Sequence, residues 1–464
     1  MHRFPRSPRS ARCIDRCPTH RDHQRRVGKT QNASSRLQHQ PPAAPHPMTF
    51  PRFFTAKQSL TSHRIDDVAA EVTEQLKAEA AIEQIRPGQS VAIAVGSRGI
   101  DRIAEVTQTV VRLLIDRNAQ PFVVPAMGSH GGATDQGQAA TLAALGITPE
   151  SVGCPIRSSM ETVPIGEGPG GISLSFDRNA AAADHLIVIN RIKPHTKLDG
   201  SIQSGVCKML MIGLGKHRGA LAFHPAFKSF DYRLDRITAD VIPKILAATP
   251  FLLGIALVED AHDSIGQIAV ATGDQLLDLE PTLLRRAIEW MPKLPFETAE
   301  LLIIDAIGKE ISGTGLDTNV VGRKWHDKMA GDDEWPKIDA IYVRSLTEKT
   351  AGNASGIGIA EYTHRRVAEQ IDPVKTRINC ITAGHPTAAA LPVWFDCDRD
   401  VLEAVIGQTP MAPDQRRWLR IPNTLDLETI QCSEAYLEDA RRSDHLELLD
   451  DPQPLRFDDQ GDLV

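Results

Sequence analysis

The sequence lacks the features that mark several classes of protein. It has no uninterrupted apolar run of the roughly 18 residues that a membrane-spanning helix needs. Its seven cysteines are scattered singly, without a C-x-x-C pair, so neither a zinc ribbon nor an iron–sulfur framework is indicated. Scattered cysteines are typical of a reducing compartment, and we therefore expect a cytoplasmic protein with no membrane partner.

Several common catalytic and nucleotide-binding motifs are also absent. The sequence contains neither the G-x-S-x-G elbow nor the H-E-x-x-H helix. The segment GEGPGG (166–171) has dinucleotide-loop spacing, but it contains a proline and precedes a strand-like run, so a turn is predicted. The segment GLGKH (213–217) has no Ser or Thr after its lysine and is no P-loop. A plain NAD dehydrogenase is therefore disfavoured.

The charge is spread unevenly along the 464 residues, whose net charge is −7. Residues 1–47 carry ten Lys or Arg and two Asp or Glu, a net of +8, which leaves −15 for the rest of the chain. A body that is this acidic binds nucleic acid poorly, so we expect no nucleic-acid partner.

Residues 1–47 form an arginine-rich leader without hydrophobic periodicity or an apolar core. They are therefore no secretory signal, whereas a transit peptide stays open because such peptides are basic and poor in acids. We favour a disordered leader that is not native, with Met48 as the start of the folded protein.

Beyond the leader, short apolar runs alternate with amphipathic segments. SVAIAV (90–95) and HLIVI (185–189) lead into polar or glycine-rich loops, while residues 101–120 place apolar side chains three or four positions apart. This alternation predicts an α/β fold with mainly parallel sheets. Residues 251–273 predict a hairpin, and the pattern changes near residue 280. We therefore predict two α/β domains, 48–280 and 281–464, the second ending in an acidic, loosely held tail.

Polar side chains follow three of the predicted strands. Arg98 lies in GSRG, His130 in GSHGG and His195 in KPHTK. Because ligands bind beyond the carboxyl ends of the strands in open α/β sheets, these loops predict a shared site. Each residue also has a plainer interpretation, since Arg98 can form a surface ion pair and His195 can simply brace its loop.

Two further residues stand out after the third strand. Lys208 lies in the apolar segment GVCKMLMIGLG, and His224 follows sixteen residues later. A lysine in such a segment either extends from a helix edge into solvent or has a chemical use for its amine. His217, between Lys216 and Arg218, is predicted to lie on a solvated basic face.

With these residues in this order, the chain resembles the nickel-dependent lactate racemase (LarA-like) family over about residues 60–230. The resemblance implies that Arg98 binds the substrate carboxylate and that His130 and His195 are the two catalytic histidines. It further implies that Lys208 carries the cofactor and that His224 is the metal ligand. The implied cofactor is a nickel-pincer nucleotide, a nicotinate-derived Ni(II) group tethered to lysine through a thioamide.

The activity implied by the resemblance is racemisation or epimerisation of a 2-hydroxy acid. In that reaction the hydride of C2 passes reversibly to the cofactor, while two histidines exchange the hydroxyl proton. The implied partners are a small-molecule 2-hydroxy acid and the proteins that mature the cofactor. The implied active site lies in the cleft between the two domains.

Two features depart from the lactate racemases. Val95 stands where those enzymes carry an acidic residue, three positions before the arginine. Their second domain contributes a lysine and a nearby glutamine to the substrate, whereas residues 305–325 contain Lys309 and Lys324 but no glutamine. Lactate itself is therefore not the expected substrate.

Two alternatives to a racemase stay open. One is a zinc-dependent hydrolase in which His130, His195 and His224 bind the metal and leave one coordination position open. The other is a relative of the same fold that binds the cofactor without turnover.

Overall fold

The computed structural model describes residues 49–97 and 99–464, which belong to one compact unit, Met48–Val464. The leader, Met1–Pro47, lies outside the described residues, so the predictions made for it are untested. None of the helices in the described part of the chain is long and apolar enough to span a membrane.

The described residues form fifteen strands and thirteen α-helices. The strands are β1 (Phe53–Gln58), β2 (Ser90–Val95), β3 (Gln120–Pro125), β4 (Thr162–Glu167), β5 (Ser173–Asp177), β6 (His185–Arg191), β7 (Phe251–Glu259), β8 (Ile265–Ala271), β9 (Thr298–Ile304), β10 (Lys337–Val343), β11 (Tyr362–His364), β12 (Val393–Phe395), β13 (Trp418–Ile421), β14 (Thr429–Ser433) and β15 (Leu446–Leu448). The helices are α1 (Val68–Ala78), α2 (Ile103–Asp116), α3 (Asp135–Ala144), α4 (Pro149–Val152), α5 (Arg178–Ala181), α6 (Gly205–Lys208), α7 (Lys216–Phe227), α8 (Leu234–Ala248), α9 (Leu276–Trp290), α10 (Arg365–Gln370), α11 (Pro373–Thr382), α12 (Asp398–Ile406) and α13 (Leu437–Arg442).

The first sheet has the strand order β3-β2-β6-β7-β8. Strands β3, β2, β6 and β7 are parallel, and β8 returns antiparallel to β7, which confirms the predicted hairpin. Both faces of this sheet are covered. In β2, Ala92 and Ala94 join one hydrophobic core, while Val91, Ile93 and Val95 join the other. Burial on both faces explains why these strands read as continuous apolar runs.

The second sheet has the order β12-β11-β10-β9-β13-β14-β1-β15. Its first five strands are parallel, and the remaining pairs are antiparallel. The two sheets confirm the predicted α/β fold with mainly parallel sheets. Strand β1 precedes the first sheet in sequence but pairs with β14 and β15, and residue 280 falls inside α9. The boundary near residue 280 therefore stays a prediction.

The end of the chain packs against the second sheet, so the prediction of a loosely held tail is wrong. Leu463 is 6% exposed. Its N–H donates to Asp398 at 2.7 Å, and its carbonyl oxygen accepts from Arg344 at 2.8 Å. The carboxylate of Asp462 lies 2.9 Å from Nε2 of His364. Backbone and ionic contacts thus hold an acidic segment in place, although its composition alone predicted that it would be loosely held.

Candidate functional site

The loops after β2 and β3 meet at the carboxyl edge of the first sheet. Ser97 Oγ and His130 Nδ1 form a hydrogen bond. Gly128, with φ of +60°, donates its N–H to the carbonyl oxygen of Gly213 at 3.1 Å and so brings the β3 loop against the segment after α6. Arg98, predicted to bind the substrate carboxylate, lies outside the described residues.

The serine partner suits a histidine that exchanges protons. A hydroxyl can donate to a bare imidazole nitrogen or accept from a protonated one. The bond between Ser97 and His130 can therefore persist in either tautomer of the ring. His130 Nε2 can then serve as a proton acceptor without the loss of this contact.

A buried lysine supports the His130 loop from behind. Lys216 is fully buried, and its ammonium lies 3.0 Å from the carboxylate of Asp177 and 3.1 Å from Oε1 of Gln138. The Gln138 amide in turn donates to the carbonyl oxygens of Gly128 (2.9 Å) and His130 (3.3 Å). Burial lowers the pKa of Lys216, and Asp177 opposes that shift.

The predicted basic face is therefore only partly correct. His217 and Arg218 are exposed as predicted, whereas Lys216 turns inward. Its backbone φ of +55° starts helix α7 in a left-handed conformation. In this conformation Lys216 faces the interior of the protein, while the next two residues, His217 and Arg218, face solvent.

His195 is held in the loop after β6 by its own ring. Its Nδ1 accepts hydrogen bonds from the backbone N–H groups of Lys197 and Leu198, both at 3.0 Å. Two donors at Nδ1 require a lone pair there, so the proton of the neutral ring resides on Nε2. In this loop conformation the N–H of the neutral ring is therefore at Nε2. Proton exchange at this ring requires the two backbone amides to release Nδ1.

Lys208 is the last residue of α6 and is half-buried. A single π-helical turn, Met209–Gly213, follows directly, a feature often found at functional sites. The start of the helix is fixed from two sides. Asn190 Nδ2 donates to the carbonyl oxygen of Gly205 at 2.7 Å, and the buried Glu280 accepts from the N–H of Cys207 at 3.0 Å.

His224 lies on α7 and contacts the end of α11. Its Nδ1 is 3.1 Å from the carbonyl oxygen of Thr382, the last residue of α11. A carbonyl only accepts, so Nδ1 carries the proton and the lone pair resides on Nε2. Burial lowers the pKa of His224; the Thr382 carbonyl opposes this shift, and the charge of nearby Lys208 reinforces it. The lowered pKa favours the neutral ring, the form in which a histidine binds a metal.

Lys324, from the loop after β9, lies close to the His195 loop and contacts Gln203. The sequence did not single out Lys324 and Gln203 as a pair. Lys324 Nζ donates to Gln203 Oε1 at 2.9 Å, and the same oxygen accepts from the backbone N–H of His195 at 2.9 Å. The glutamine that accepts from Lys324 belongs to the loop after β6 and lies outside residues 305–325. Lys309 instead donates to Asn379 at 2.8 Å. Only the three-dimensional contact distinguishes the two lysines.

The described residues contain one group of three potential metal ligands within 4.8 Å of one another, namely His364, Asp398 and Asp462. Its carboxylates are already paired with arginines. Arg344 lies 2.6 Å from Asp398, and Arg366 lies 2.7 Å from Asp462. This cluster anchors the end of the chain.

The three histidines of the zinc-hydrolase alternative do not form such a group within the ranges that the structure describes. His130 contacts Ser97, whereas His224 contacts Thr382 and lies near Lys208. His195 is connected through Gln203 to Lys324. The roles predicted for these histidines and for Lys208 stay predictions.

Comparisons with known proteins found similarity to solved structures alone. No family model and no curated protein matches the chain. The apoprotein of lactate racemase from Thermoanaerobacterium thermosaccharolyticum is 14% identical, with a TM-score of 0.46, over 74% of this chain and 87% of that one. A protein from Thermotoga maritima is 13% identical, with a TM-score of 0.43, over 62% of this chain and 72% of that one. Likeness at this level assigns no activity to the chain.

Proposed function

We propose that the protein is a racemase or epimerase of a 2-hydroxy acid and carries a nickel-pincer nucleotide on Lys208. One observation carries the proposal: the carbonyl oxygen of Thr382 accepts from Nδ1 of His224, which leaves the lone pair of the ring on Nε2, near the lysine that would hold the cofactor. A backbone carbonyl on the distal ring nitrogen is the usual support of a metal-ligating histidine. An imidazole also suits Ni(II) in a square-planar site.

The residues present fit this cofactor at two points. The amine of Lys208, at the end of a helix fixed by Asn190 and Glu280, would form the covalent link. His224 Nε2 would be the protein ligand to nickel. When bound, the cofactor supplies a carbon that accepts a hydride reversibly.

The chain's own residues would bind the substrate and manage its proton. Arg98 would hold the carboxylate, for which a planar guanidinium is suited. His130, whose contact with Ser97 survives either tautomer, would take the proton of the substrate hydroxyl and return it. His195 would orient a substrate oxygen by donation from Nε2, and it would exchange a proton only when its loop moves.

A cytoplasmic location and dependence on cofactor-maturation proteins belong to the same proposal. The described cysteines, Cys154, Cys207, Cys380, Cys397 and Cys432, are all free, as a reducing compartment favours. Because the proposed cofactor is made by the maturation proteins, protein expressed without them should be an inactive apoprotein.

The test is mass spectrometry and metal analysis of the full chain expressed with maturation proteins. We expect a cofactor-sized adduct and nickel in the wild type and in Lys228→Ala, which removes an exposed lysine of the same region. Lys208→Ala should carry no adduct. An adduct that persists in Lys208→Ala contradicts the anchor. Failure of the wild type to take up nickel or adduct, under conditions that load a known relative, contradicts the cofactor.

The reaction needs a separate assay on loaded protein. Single enantiomers of 2-hydroxy acids would be incubated with the enzyme and analysed by chiral chromatography. Conversion that is lost in His130→Ala, while nickel and adduct are retained, supports the proposed function. A loaded protein that converts none of the acids supports the alternative of a non-catalytic relative.

A further inference from the structure

Gln203 uses both ends of its carboxamide in one small network. Its Oε1 accepts from the N–H of His195 and from Nζ of Lys324, each at 2.9 Å. Its Nε2 donates to the carbonyl oxygen of Gly200 at 3.1 Å and to Asp199 at 3.5 Å. Both groups at Oε1 are pure donors, so the orientation of the amide is unambiguous.

This network is buried between the loop after β6 and the loop after β9. Gln203 is 5% exposed, and the side chain of Lys324 is 11% exposed. Two more contacts join the same loops: Thr318 Oγ1 donates to the carbonyl oxygen of Thr196 at 2.7 Å, and Asn319 donates to that of His195 at 3.5 Å. Gln203 is thus the inner part of a joint between the loop after β6 and the loop after β9.

The neutrality of the glutamine matters for the charge of Lys324. Burial lowers the pKa of Lys324, while the carboxylates of Asp199, Asp317 and Glu334 oppose that shift. Asp199 is 3.8 Å from the ammonium, and Glu334 accepts from the backbone N–H of Lys324 at 2.8 Å. An amide oxygen satisfies the ammonium without adding another negative charge.

We propose that Gln203 is a positioning residue that fixes Lys324 beside His195 by accepting a hydrogen bond from each through one carboxamide oxygen. Lys324 is thereby held next to the candidate catalytic loop, with its ammonium 2.9 Å from the amide oxygen and 3.8 Å from the carboxylate of Asp199. A carboxylate in place of this amide would add a negative charge next to Lys324 and would weaken the binding of an anionic substrate there. The effect on turnover rests on the proposed function, whereas the coupling of the three residues does not.

The first test measures the pKa of Lys324 in the full-length chain without cofactor, by competitive acetic-anhydride labelling across a pH series, read by mass spectrometry. Gln203→Glu should raise this pKa, because a carboxylate then accepts from the ammonium. A rise of one unit lowers the reactive neutral fraction roughly tenfold at a given pH below the pKa. Gln203→Met, which removes the acceptor but adds no charge, should not raise it.

Matched controls separate this effect from general disturbance. Gln275 is an exposed glutamine whose Oε1 also accepts from a backbone N–H, that of Thr272 at 3.0 Å. Gln275→Glu should leave the labelling of Lys324 unchanged, and the exposed Lys244 should label equally in every variant. An unchanged pKa of Lys324 in Gln203→Glu overturns the coupling, as do equal rises in Gln203→Glu and Gln203→Met.

A second measurement connects the coupling to catalysis. In loaded protein, Gln203→Glu should raise KM for the anionic substrate more than it lowers kcat, while Gln275→Glu behaves as the wild type. If the wild type has no racemase activity, the proposed function fails, yet the labelling still decides the coupling. If labelling shows the coupling but KM is unchanged, the positioning role in catalysis is refuted.

Discussion

The carbonyl oxygen of Thr382 lies 3.1 Å from Nδ1 of His224, although 158 residues separate them in sequence. The contact joins α7, which lies between β6 and β7 of the first sheet, to the end of α11, which lies between β11 and β12 of the second. It fixes the imidazole with its lone pair on Nε2. The orientation of the candidate metal ligand therefore depends on both halves of the chain.

The first prediction concerns this ligand. His224→Ala should lower the nickel content of protein expressed with the maturation proteins by at least about tenfold, because loss of a ligand costs at least as much as loss of its support. His217→Ala removes an exposed histidine of the same helix and should retain nickel. Nickel content by mass spectrometry decides the matter, and equal nickel in both variants would exclude His224 as the ligand.

The second prediction concerns the ring of His195. His195→Ala should lower the free energy of unfolding by about 1–2 kcal/mol, because the N–H groups of Lys197 and Leu198 lose their acceptor. His195→Asn places an amide oxygen near the position of Nδ1 and should recover most of this loss. Both variants should lack turnover. Urea denaturation of the apoprotein tests the stabilities, and equal losses in both would show that the ring nitrogen does not hold the loop.

Much of the fold could be predicted from the sequence, because its signals are local. Strands β2 and β6 have continuous apolar runs since two cores cover them, and the hairpin of β7 and β8 has its turn within the same short stretch. Strand β1 could not be placed in this way. Its partners β14 and β15 lie more than 350 residues away, and a period-2 pattern does not specify which strand pairs with it.

The same distinction between local and long-range signals applies to the candidate site. Glycine-rich loops after apolar strands drew attention to His130 and His195, and the structure places both just beyond the carboxyl ends of β3 and β6. The roles of Gln203, Lys216 and Lys324 depend on partners far away in sequence. The residues around Lys216 suggest solvent, yet Asp177 and Gln138 supply it with a buried polar environment. Local composition cannot reveal such compensation.

The third prediction tests the buried ion pair behind the His130 loop. Asp177→Asn should lower the free energy of unfolding by about 3–5 kcal/mol, because it leaves the buried ammonium of Lys216 without its counter-charge. Asp240→Asn, an exposed control, should be close to neutral. The double variant Asp177→Asn/Lys216→Met should be more stable than Asp177→Asn alone. Denaturant unfolding measures all three, and a double variant that is less stable would show that the charge is not the cause.

The fourth prediction concerns Glu280, a fully buried carboxyl on α9 next to the turn that carries Lys208. One oxygen accepts from the N–H of Cys207, and the other has no hydrogen-bond partner among the described residues. Burial raises the pKa of Glu280 to about 7, while its hydrogen bonds oppose the shift. The folded protein therefore favours the protonated acid more strongly than the unfolded chain does.

The sign of the pH dependence follows from this raised pKa. The contribution of Glu280 to stability is complete below its ordinary pKa of 4.5 and is lost as the pH rises through about 7. At about 1.4 kcal/mol per pKa unit, the loss amounts to roughly 3 kcal/mol. Glu280→Gln should remove this fall between pH 5 and 8, whereas Glu289→Gln, exposed on the same helix, should follow the wild type. All other titrating groups are the same in the wild type and in Glu280→Gln, so a difference between their pH profiles reports on Glu280 alone. Parallel unfolding free energies for the wild type and Glu280→Gln across that range would show that Glu280 does not titrate there.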